Sequence, residues 1–381
     1  MSEPQRFGKH VKNVGIGVLG FGFMGRTHSY VYRTLPIYYE APPVNLKLAA
    51  LCDKKRDRAQ LAAERIGFSY YSTDYRDVLK REDVQIVDNC LPNAFHASPS
   101  IEAIEHGKDI ICEKPLGRNL REAKQMLAVA ERQHVKHMVC FNYRYVPAII
   151  RAKEILDMGW IGRVFHFRAV YGHSRLVDPL VPIEWRLKKN LAGGGALADL
   201  GIHMIDLALH LVGKITRVNA ETQTFVEERP AGKNGSDIVD VEDAGVLLMR
   251  FENGALGSIE ASRFATGFID ELRIEIHGSE GALQFNLMDF NWLRIFSKKD
   301  PAYAQGFRDI CVDAPPPAIW PPPKSPKGWT RGHVGILYHF LECVAKDAEP
   351  SPSFVDGVEA QRVLEAAYLS ADKKEWVDIA L

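Results

Sequence analysis

Residues 14–25 read VGIGVLGFGFMG, an apolar run that leads into three glycines at the spacing G-x-G-x-x-G. Residues 14–19 are predicted to form a strand, and residues 24–34 the helix that follows it. Alone the motif is weak, but between a strand and a helix it is typical of a loop that holds a dinucleotide pyrophosphate at the helix N-terminus. We therefore expect Gly20, Gly22, Phe23, Met24 and Gly25 to bind a cofactor.

Strands and helices alternate from this loop to about residue 141. The predicted strands are 14–19, 46–52, 84–89, 109–112 and 137–141, and the predicted helices are 24–34, 56–66, 99–106 and 120–133. Such alternation indicates βαβ units and a parallel, doubly wound sheet. We expect a Rossmann domain over residues 1–141.

The pattern changes in residues 142–381, where strands follow one another with little helix between them. The predicted strands are 163–171, 217–226, 243–251, 256–263, 271–277 and 281–285, with helices at 335–346 and 357–373. Asn253-Gly254 between two strands indicates a hairpin. We expect an α+β domain with a large, mostly antiparallel open sheet, whose last helices pack back on the first domain. The proline-rich residues 314–328 are predicted to form a loop.

Composition argues against several classes of partner. Lys and Arg together number 48, as do Asp and Glu, so no bulk charge favours nucleic acid or an anionic membrane. No apolar stretch reaches the about 18 residues of a membrane span, and the apolar run after the basic start is better explained as a strand than as a signal peptide.

The six cysteines form no C-x-x-C pair, so no metal site is expected. Free thiols suit a reducing compartment, and we expect a cytoplasmic protein.

Asp53 directly follows the second predicted strand, and its carboxylate could accept hydrogen bonds from an adenosine ribose. A negative charge there favours NAD over NADP. Lys54, Lys55 and Arg56 follow directly and leave NADP as an open alternative. A second alternative is that Asp53 merely caps the next helix.

Lys114 follows the strand 109–112 and precedes Pro115. Ligands of doubly wound sheets bind at the carboxyl ends of the strands, so Lys114 is expected beside the nicotinamide. The alternative is an ordinary solvated lysine.

Residues 193–213, GGGALADLGIHMIDLALHLVG, form the other candidate catalytic segment. As a helix, they place Asp199, His203, Asp206 and His210 on one stripe of an otherwise apolar and therefore buried surface. Asp199 and His203 lie near the glycine-rich start, where a ligand can approach. Asp206 and His210 lie further along, where hydrogen bonds within the core are an alternative.

These residue types suit the oxidation of a hydroxyl group to a carbonyl. A histidine can accept the hydroxyl proton near neutral pH, and a lysine can stabilise the charge that develops on the oxygen. We expect His203 and Lys114 in these two roles, with Asp199 orienting a neighbouring group.

The sequence resembles the Gfo/Idh/MocA oxidoreductases, most closely their levoglucosan and inositol dehydrogenases. The resemblance covers nearly the whole chain and rests on GFGFMGRTH (20–28), LPNAFH (91–96), GKDIICEKPLGRN (107–119), FNYRYVPA (141–148), EWR (184–186), the segment 193–213 and FENGALGSIEASR (251–263). It implies that Lys114, Asp199 and His203 form the catalytic set, that Pro115 is cis, and that the protein is a homodimer or homotetramer.

The resemblance also implies a wider set of site residues. Those implied for the cofactor are Leu91, Pro92, Asn93, His96, Glu113, Lys114, Trp185 and Arg186. Those implied for the carbohydrate substrate are Lys114, Tyr143, Arg144, Asp199 and His203, with His333 where relatives commonly carry a tyrosine. Tyr143 and Trp185 have the alternative of core aromatics, and Arg144 that of a structural ion pair.

The function expected is transfer of a hydride from a secondary hydroxyl of a sugar, anhydrosugar or cyclitol to NAD. One alternative is a redox-neutral enzyme of the same family that cleaves glycosides by oxidation, elimination and re-reduction. Another is a non-catalytic NAD-sensing protein.

Overall fold

The computed structural model describes residues 11–232, 235–312 and 328–379, so the predicted loop at 314–328 lies, except for Gly328, outside the described residues. The first domain is built on a sheet of six parallel strands. These are β1 (Asn13–Leu19), β2 (Asn45–Cys52), β3 (Tyr71–Ser72), β4 (Ile86–Asn89), β5 (Asp109–Cys112) and β6 (His137–Val139). Five helices alternate with them: α1 (Phe23–Tyr38), α2 (Arg56–Ile66), α3 (Tyr75–Leu79), α4 (Ala97–Glu105) and α5 (Leu120–Gln133).

The strand order β3-β2-β1-β4-β5-β6 reverses direction at β1. The central strand β1 is apolar and buried over nearly its whole length, as expected for a parallel strand covered on both faces. A ligand of such a sheet binds at the carboxyl ends of the strands beside this reversal. The end of β1 is therefore the first place to search for a site.

The second domain begins after α6 (Pro147–Asp157). Its strands are β7 (Val164–Gly172), β8 (Ile215–Gln223), β9 (Glu228–Ala231), β10 (Gly235–Ile238), β11 (Ala244–Phe251), β12 (Leu256–Ser262), β13 (Glu271–Gly278), β14 (Gly281–Asn286), β15 (Trp292–Ser297), β16 (Arg308–Cys311) and β17 (Val377–Asp378). Its helices are α7 (Lys189–Ala192), a π-helical turn (Leu197–Gly201) that runs into α8 (Ile202–Leu211), α9 (Thr330–Lys346) and α10 (Phe354–Lys373).

Nine of these strands form one open sheet in the order β16-β15-β14-β13-β7-β12-β11-β8-β17. Only the pair β7–β12 is parallel, so the expected fold class is confirmed. Buried and exposed residues alternate along β11, because one face of the sheet packs on helices and the other does not. Helix α9 packs against α1 of the first domain, and α10 packs against both α5 and β8. None of the helices in the described ranges is long and apolar enough to cross a membrane.

Candidate active site

The glycine loop joins β1 to α1 with the backbone shape that its motif predicts. Gly20 has a φ of +89°, which residues with a Cβ rarely adopt. A Cβ on Gly25 would lie 1.9 Å from the carbonyl oxygen of Gly20, so only glycine lets the helix start this close to the strand. A Cβ on Gly22, in contrast, would meet no described atom within 4 Å.

Asp53 lies at the end of β2 and is buried beside this loop. Its carboxylate accepts hydrogen bonds from the backbone N–H groups of Phe21 and Lys55, both at 2.9 Å. Arg58 of α2 lies 2.7 and 2.6 Å from the two carboxylate oxygens. The carboxylate thus ties β2, the glycine loop and the start of α2 together. The sequence analysis did not identify Arg58 as its partner.

The loop after β4 carries the four predicted residues Leu91, Pro92, Asn93 and His96. The two ring nitrogens of His96 lie 2.8 Å from the carbonyl oxygen of Leu91 and 2.7 Å from that of Pro115. The Asn93 side chain donates a hydrogen bond to the carbonyl of Ala192 in α7, at 2.8 Å. His96 and Asn93 therefore fasten this loop to the turn after β5 and to the second domain.

Lys114 follows β5, and the Lys114–Pro115 peptide bond is cis, as the resemblance implies. Its Nζ lies 2.7 Å from the carbonyl oxygen of Asp199 and 3.0 Å from the Asp199 carboxylate. These contacts join the first domain to the second. Lys114 is thus a partly buried, paired lysine, not a solvated one.

Asp199 lies in the π-helical turn, where the sequence pattern predicts an unbroken α-helix. Three cations surround its carboxylate: besides Lys114, Nη2 of the buried Arg263 is 3.1 Å away and Nε of Arg186 is 3.7 Å away. Burial alone would raise the pKa of Asp199, but Lys114, Arg263 and Arg186 hold it well below its usual range. Asp199 is therefore a carboxylate at any physiological pH.

The start of this helix is anchored by Glu242, a buried residue just before β11. Its carboxylate accepts hydrogen bonds from the backbone N–H groups of Gly195 and Leu197, both at 2.9 Å, and from the Tyr368 hydroxyl at 2.8 Å. A carboxylate at this end satisfies N–H groups that have no partner within the helix. Glu242 thereby fixes where the turn that carries Asp199 begins.

His203 follows one turn after Asp199, and 6% of it is exposed. Its ring packs against Tyr143, with 4.6 Å between the ring centroids, and against Phe141 and Tyr171. The buried Nδ1 has no hydrogen-bond partner among the residues that the structure describes. Burial, followed by the charge of Lys114, lowers the pKa of His203 well below its usual value. The ring is therefore neutral near pH 7 and able to accept a proton.

The aromatic wall behind His203 continues to a carboxylate that the sequence analysis missed. The hydroxyl groups of Tyr143 and Tyr171 lie 2.7 Å apart, and the Tyr171 hydroxyl lies near the carboxylate of Asp270. Burial raises the pKa of Asp270. Nothing in the local pattern around Asp270 marks it, since it reaches the site through the fold of the loop before β13.

Arg144 forms ion pairs with two carboxylates of the second domain. Its Nη2 lies 2.6 Å from the carboxylate of Asp206 and 2.9 Å from that of Asp356, and the side chain is buried. The structure thus has Arg144 and Asp206 in a structural ion pair, one of the alternatives that the sequence leaves open. His210 is also half-buried in this region, and burial lowers its pKa to about 4.

Trp185, Arg186 and His333 complete the predicted set. The guanidinium of Arg186 lies 4.4 Å from the centre of the Trp185 ring, a cation–π contact. His333 of α9 is 2% exposed, packs 4.5 Å from Trp329, and has no hydrogen-bond partner for either ring nitrogen within the described ranges. Burial, followed by the charge of His28, lowers the pKa of His333 to about 3. It is a neutral ring that, like His203, is influenced by the charges of Glu113 and Lys114.

Comparisons with known proteins show the family to which both domains belong. A family model described as the NAD-binding Rossmann fold of an oxidoreductase family matches residues 14–141, and one described as the GFO/IDH/MocA C-terminal domain matches residues 149–284.

Curated relatives align over nearly the whole chain. Levoglucosan dehydrogenase of Pseudarthrobacter phenanthrenivorans is 36% identical, over 97% of this chain and 99% of that protein. D-apiose dehydrogenase of Paraburkholderia graminis is 28% identical, over 97% of this chain and 90% of that protein. The solved structure of a levoglucosan dehydrogenase in complex with NADH and levoglucosan has a TM-score of 0.93 at 37% identity, covering 97% of this chain and 100% of that one. The protein therefore belongs to the Gfo/Idh/MocA family of NAD-binding oxidoreductases.

Proposed function

We propose that this protein is an NAD-dependent dehydrogenase that oxidises a secondary hydroxyl of a sugar, an anhydrosugar or a cyclitol. The observation that carries the proposal is the placement of Lys114 Nζ within 3.0 Å of the Asp199 carboxylate, one helical turn before the neutral His203. The names of the relatives, levoglucosan and D-apiose dehydrogenases, support a carbohydrate substrate.

The cofactor fits the carboxyl ends of the first sheet. The open space at Gly22 is where the fingerprint brings the backbone against a pyrophosphate, and the helix N-terminus beside it offers unpaired N–H groups. NAD bound there supplies the acceptor for a hydride. The residues that we propose to hold it are Gly20, Gly22, Phe23, Met24, Gly25, Asp53, Leu91, Pro92, Asn93, His96, Glu113, Lys114, Trp185 and Arg186.

The chain's own residues handle the proton and the charge. As the hydride leaves the substrate carbon, the hydroxyl oxygen must lose its proton, and the neutral ring of His203 accepts it. The ammonium of Lys114 donates a hydrogen bond to the same oxygen and stabilises the negative charge that develops there. Asp199 holds that ammonium in place through two contacts, at 2.7 and 3.0 Å. The wall of Tyr143 and Tyr171 excludes water from the ring of His203.

Replacing Gly22 with alanine is expected to leave the fold intact and weaken cofactor binding. The new Cβ meets no described atom within 4 Å, so the thermal midpoint should not change. It would fill the space of the pyrophosphate, and a clash of about 1–3 kcal/mol corresponds to a dissociation constant raised about fivefold to 150-fold. Calorimetric titration with NAD measures this. The control is Gly306→Ala, which also adds a Cβ in open space but lies far along the chain, in the second domain; equal affinity in the two variants would contradict the site.

Replacing Asp53 with serine is expected to shift cofactor preference from NAD toward NADP. The change removes the proposed ribose acceptor and releases Arg58, now 2.6 Å from the carboxylate, to meet a 2′-phosphate. Loss of a hydrogen bond to a charged group predicts about a tenfold fall in kcat/KM with NAD. Kinetics with both cofactors measure this, with Asp57→Ser on the exposed side of α2 as the control. A uniform loss with both cofactors would assign Asp53 a structural role alone.

The substrate class is tested by a panel of sugars, anhydrosugars, cyclitols and nitrophenyl glycosides, with NAD and NADP in parallel. Net NADH with an unsubstituted polyol supports the dehydrogenase. Release of nitrophenol without NADH would instead favour the redox-neutral cleavage of glycosides, for which His333 supplies an additional neutral ring beside Lys114.

We also propose that the protein is a homo-oligomer. The uncovered face of the nine-stranded sheet carries large apolar side chains that are two-fifths to half exposed: Val246, Leu248, Leu256 and Trp292. A patch of this kind is typical of a surface that another copy covers. Light scattering should give a mass that is a multiple of 42.8 kDa; a monomer at micromolar concentration would contradict the proposal.

A further inference from the structure

A cluster of buried ionisable groups lies beneath the turn that carries Lys114, and of its members only Glu113 is among the residues proposed to hold the cofactor. At its centre is His28 of α1, which is completely buried. Its Nδ1 lies 2.8 Å from the carboxylate of Asp88 in β4, and its Nε2 lies 3.1 Å from the carboxylate of Glu113. The Tyr32 hydroxyl donates a hydrogen bond to the same oxygen of Asp88, at 2.8 Å. We call His28, Tyr32, Asp88 and Glu113 the His28 cluster.

The two carboxylates of the His28 cluster determine the charge of the ring between them. A neutral imidazole has one N–H and can serve one acceptor, whereas an imidazolium donates from both nitrogens. Asp88 and Glu113 are 0% and 5% exposed, and two buried carboxylates without a cation would be very costly. An imidazolium at His28 gives Asp88 a hydrogen-bonded partner and places its charge 3.1 Å from the Glu113 oxygen. That Glu113 oxygen is buried and has no hydrogen-bond partner among the described residues, so a nearby positive charge is what stabilises it.

The pKa shifts of His28 and Glu113 agree with an imidazolium at this position. Burial would lower the pKa of His28, but Asp88 holds it well above its usual value. Burial would raise the pKa of Glu113, yet the proximity and charge of His28 lower it to about 2. The remaining groups that face the ring stay uncharged near neutral pH: the thiols of Cys90 and Cys140, the phenol of Tyr32, and His333.

The His28 cluster reaches the proposed active site through Glu113. The second oxygen of this carboxylate accepts a hydrogen bond from the backbone N–H of Lys114, at 3.2 Å. Glu113 thus holds the backbone of the residue whose ammonium contacts Asp199. If Glu113 were protonated, the charge that holds this turn would be lost.

We propose that His28 is a positioning residue that is permanently an imidazolium, and that it keeps Glu113 ionised and thereby holds Lys114 in its working position. The proposal rests on the proposed function for its kinetic consequences, but the charge on His28 can be measured without any substrate.

A bound metal ion is the competing explanation for the position of these side chains. His28, Glu113, Cys140 and His333 each offer one ligand atom, and all of these atoms lie within 4.8 Å of one another. A zinc ion there would need Nε2 of His28 without its proton and Cys140 as a thiolate. Burial, followed by the charge of Glu113, raises the pKa of the Cys140 thiol to about 12, which favours the imidazolium over the metal.

The kinetic test compares His28→Asn with Tyr32→Phe. Asparagine keeps a donor for Asp88 but carries no charge, whereas phenylalanine removes one hydrogen bond of the cluster and leaves the imidazolium. For His28→Asn we expect kcat to fall by about tenfold to a hundredfold. The acidic limb of the kcat profile, which His203 sets in the wild type, should move to higher pH and be set by Glu113, because Glu113 then takes up a proton more easily. Tyr32→Phe should leave that limb in place. A wild-type pH profile in His28→Asn, or the same shift in both variants, would overturn the proposal.

The direct test is nitrogen NMR of the wild-type protein labelled at histidine, with the His28 signal assigned by its change in Tyr32→Phe. At about pH 8, well above the ordinary imidazole pKa of about 6.5, both ring nitrogens of His28 should still carry protons. A neutral ring at that pH would overturn the proposal even if the dehydrogenase activity is confirmed. Stoichiometric zinc in the purified wild type that is lost in Cys140→Ala would also overturn it.

Discussion

Replacing Lys114 with methionine is expected to lower kcat for hydroxyl oxidation by about 10²–10³, the usual cost of removing a group that stabilises a developing oxyanion. Methionine keeps much of the length of the side chain but has no charge and no donor. Asp199 would keep its contacts with Arg263 and Arg186, so the π-helical turn should stay in place. NAD affinity, measured by calorimetric titration, should fall far less than kcat, because Lys114 is only one of the residues proposed to hold the cofactor. Pre-steady-state kinetics should record the main loss in the hydride-transfer step.

The matched control for this variant is Lys124→Met, on the exposed side of α5. It removes the same charge from the same domain without touching the site. If Lys124→Met lost as much activity as Lys114→Met, or if Lys114→Met kept its hydride-transfer rate, the role given to Lys114 would be wrong.

Replacing His203 with asparagine is expected to lower kcat by about 10²–10⁴, the range typical of losing a general base. The pH dependence of the wild type gives a second readout. Because burial and Lys114 lower the pKa of His203, its neutral form persists as the pH falls through the ordinary histidine value of about 6.5. Oxidation should therefore keep its rate through that pH and decline only below it. In His203→Asn this acidic limb should disappear.

His210→Asn is the matched control for His203→Asn. His210 lies on the same helix, and burial lowers its pKa as well, so both changes exchange a neutral ring for a neutral amide. If kcat fell equally in the two variants, the cause would be damage to α8 and not the loss of a general base. An acidic limb of the wild type above the ordinary histidine value would contradict the environment described for His203.

The fold was largely predictable because its core strands and helices carry strong periodic patterns. The helices α2 and α5 and the strand β5 begin and end at the predicted residues. Several elements were not predicted: the strands β3, β9, β10, β15, β16 and β17 and the helices α3, α6 and α7. The strands β3 and β17 have two residues each, and no period can be read from two. The π-helical turn at Leu197–Gly201 was missed for another reason: its hydrogen-bond shift leaves no trace in an apolar sequence.

The site was predictable where chemistry and local structure coincide. Lys114 is marked by the strand before it, and Asp199 and His203 are marked by polar side chains on an apolar helix. The structure brings these three together across the two domains. Arg263, Glu242 and Asp270 were missed, because each reaches the site from a distant part of the second domain and only the folded sheet brings them near. Their local sequence is that of ordinary surface strands and loops.

The proposed hydride transfer is tested most directly by following deuterium from the substrate to the cofactor. The protein would be incubated with NAD and with levoglucosan or myo-inositol deuterated at every carbon, and the nicotinamide product examined by proton NMR and mass spectrometry. We predict NADH that carries one deuterium at the nicotinamide C4, formed in step with the ketone and about 10²–10⁴ times more slowly in His203→Asn. Unlabelled cofactor after prolonged incubation with a panel of deuterated sugars and cyclitols, at saturating NAD, would contradict it.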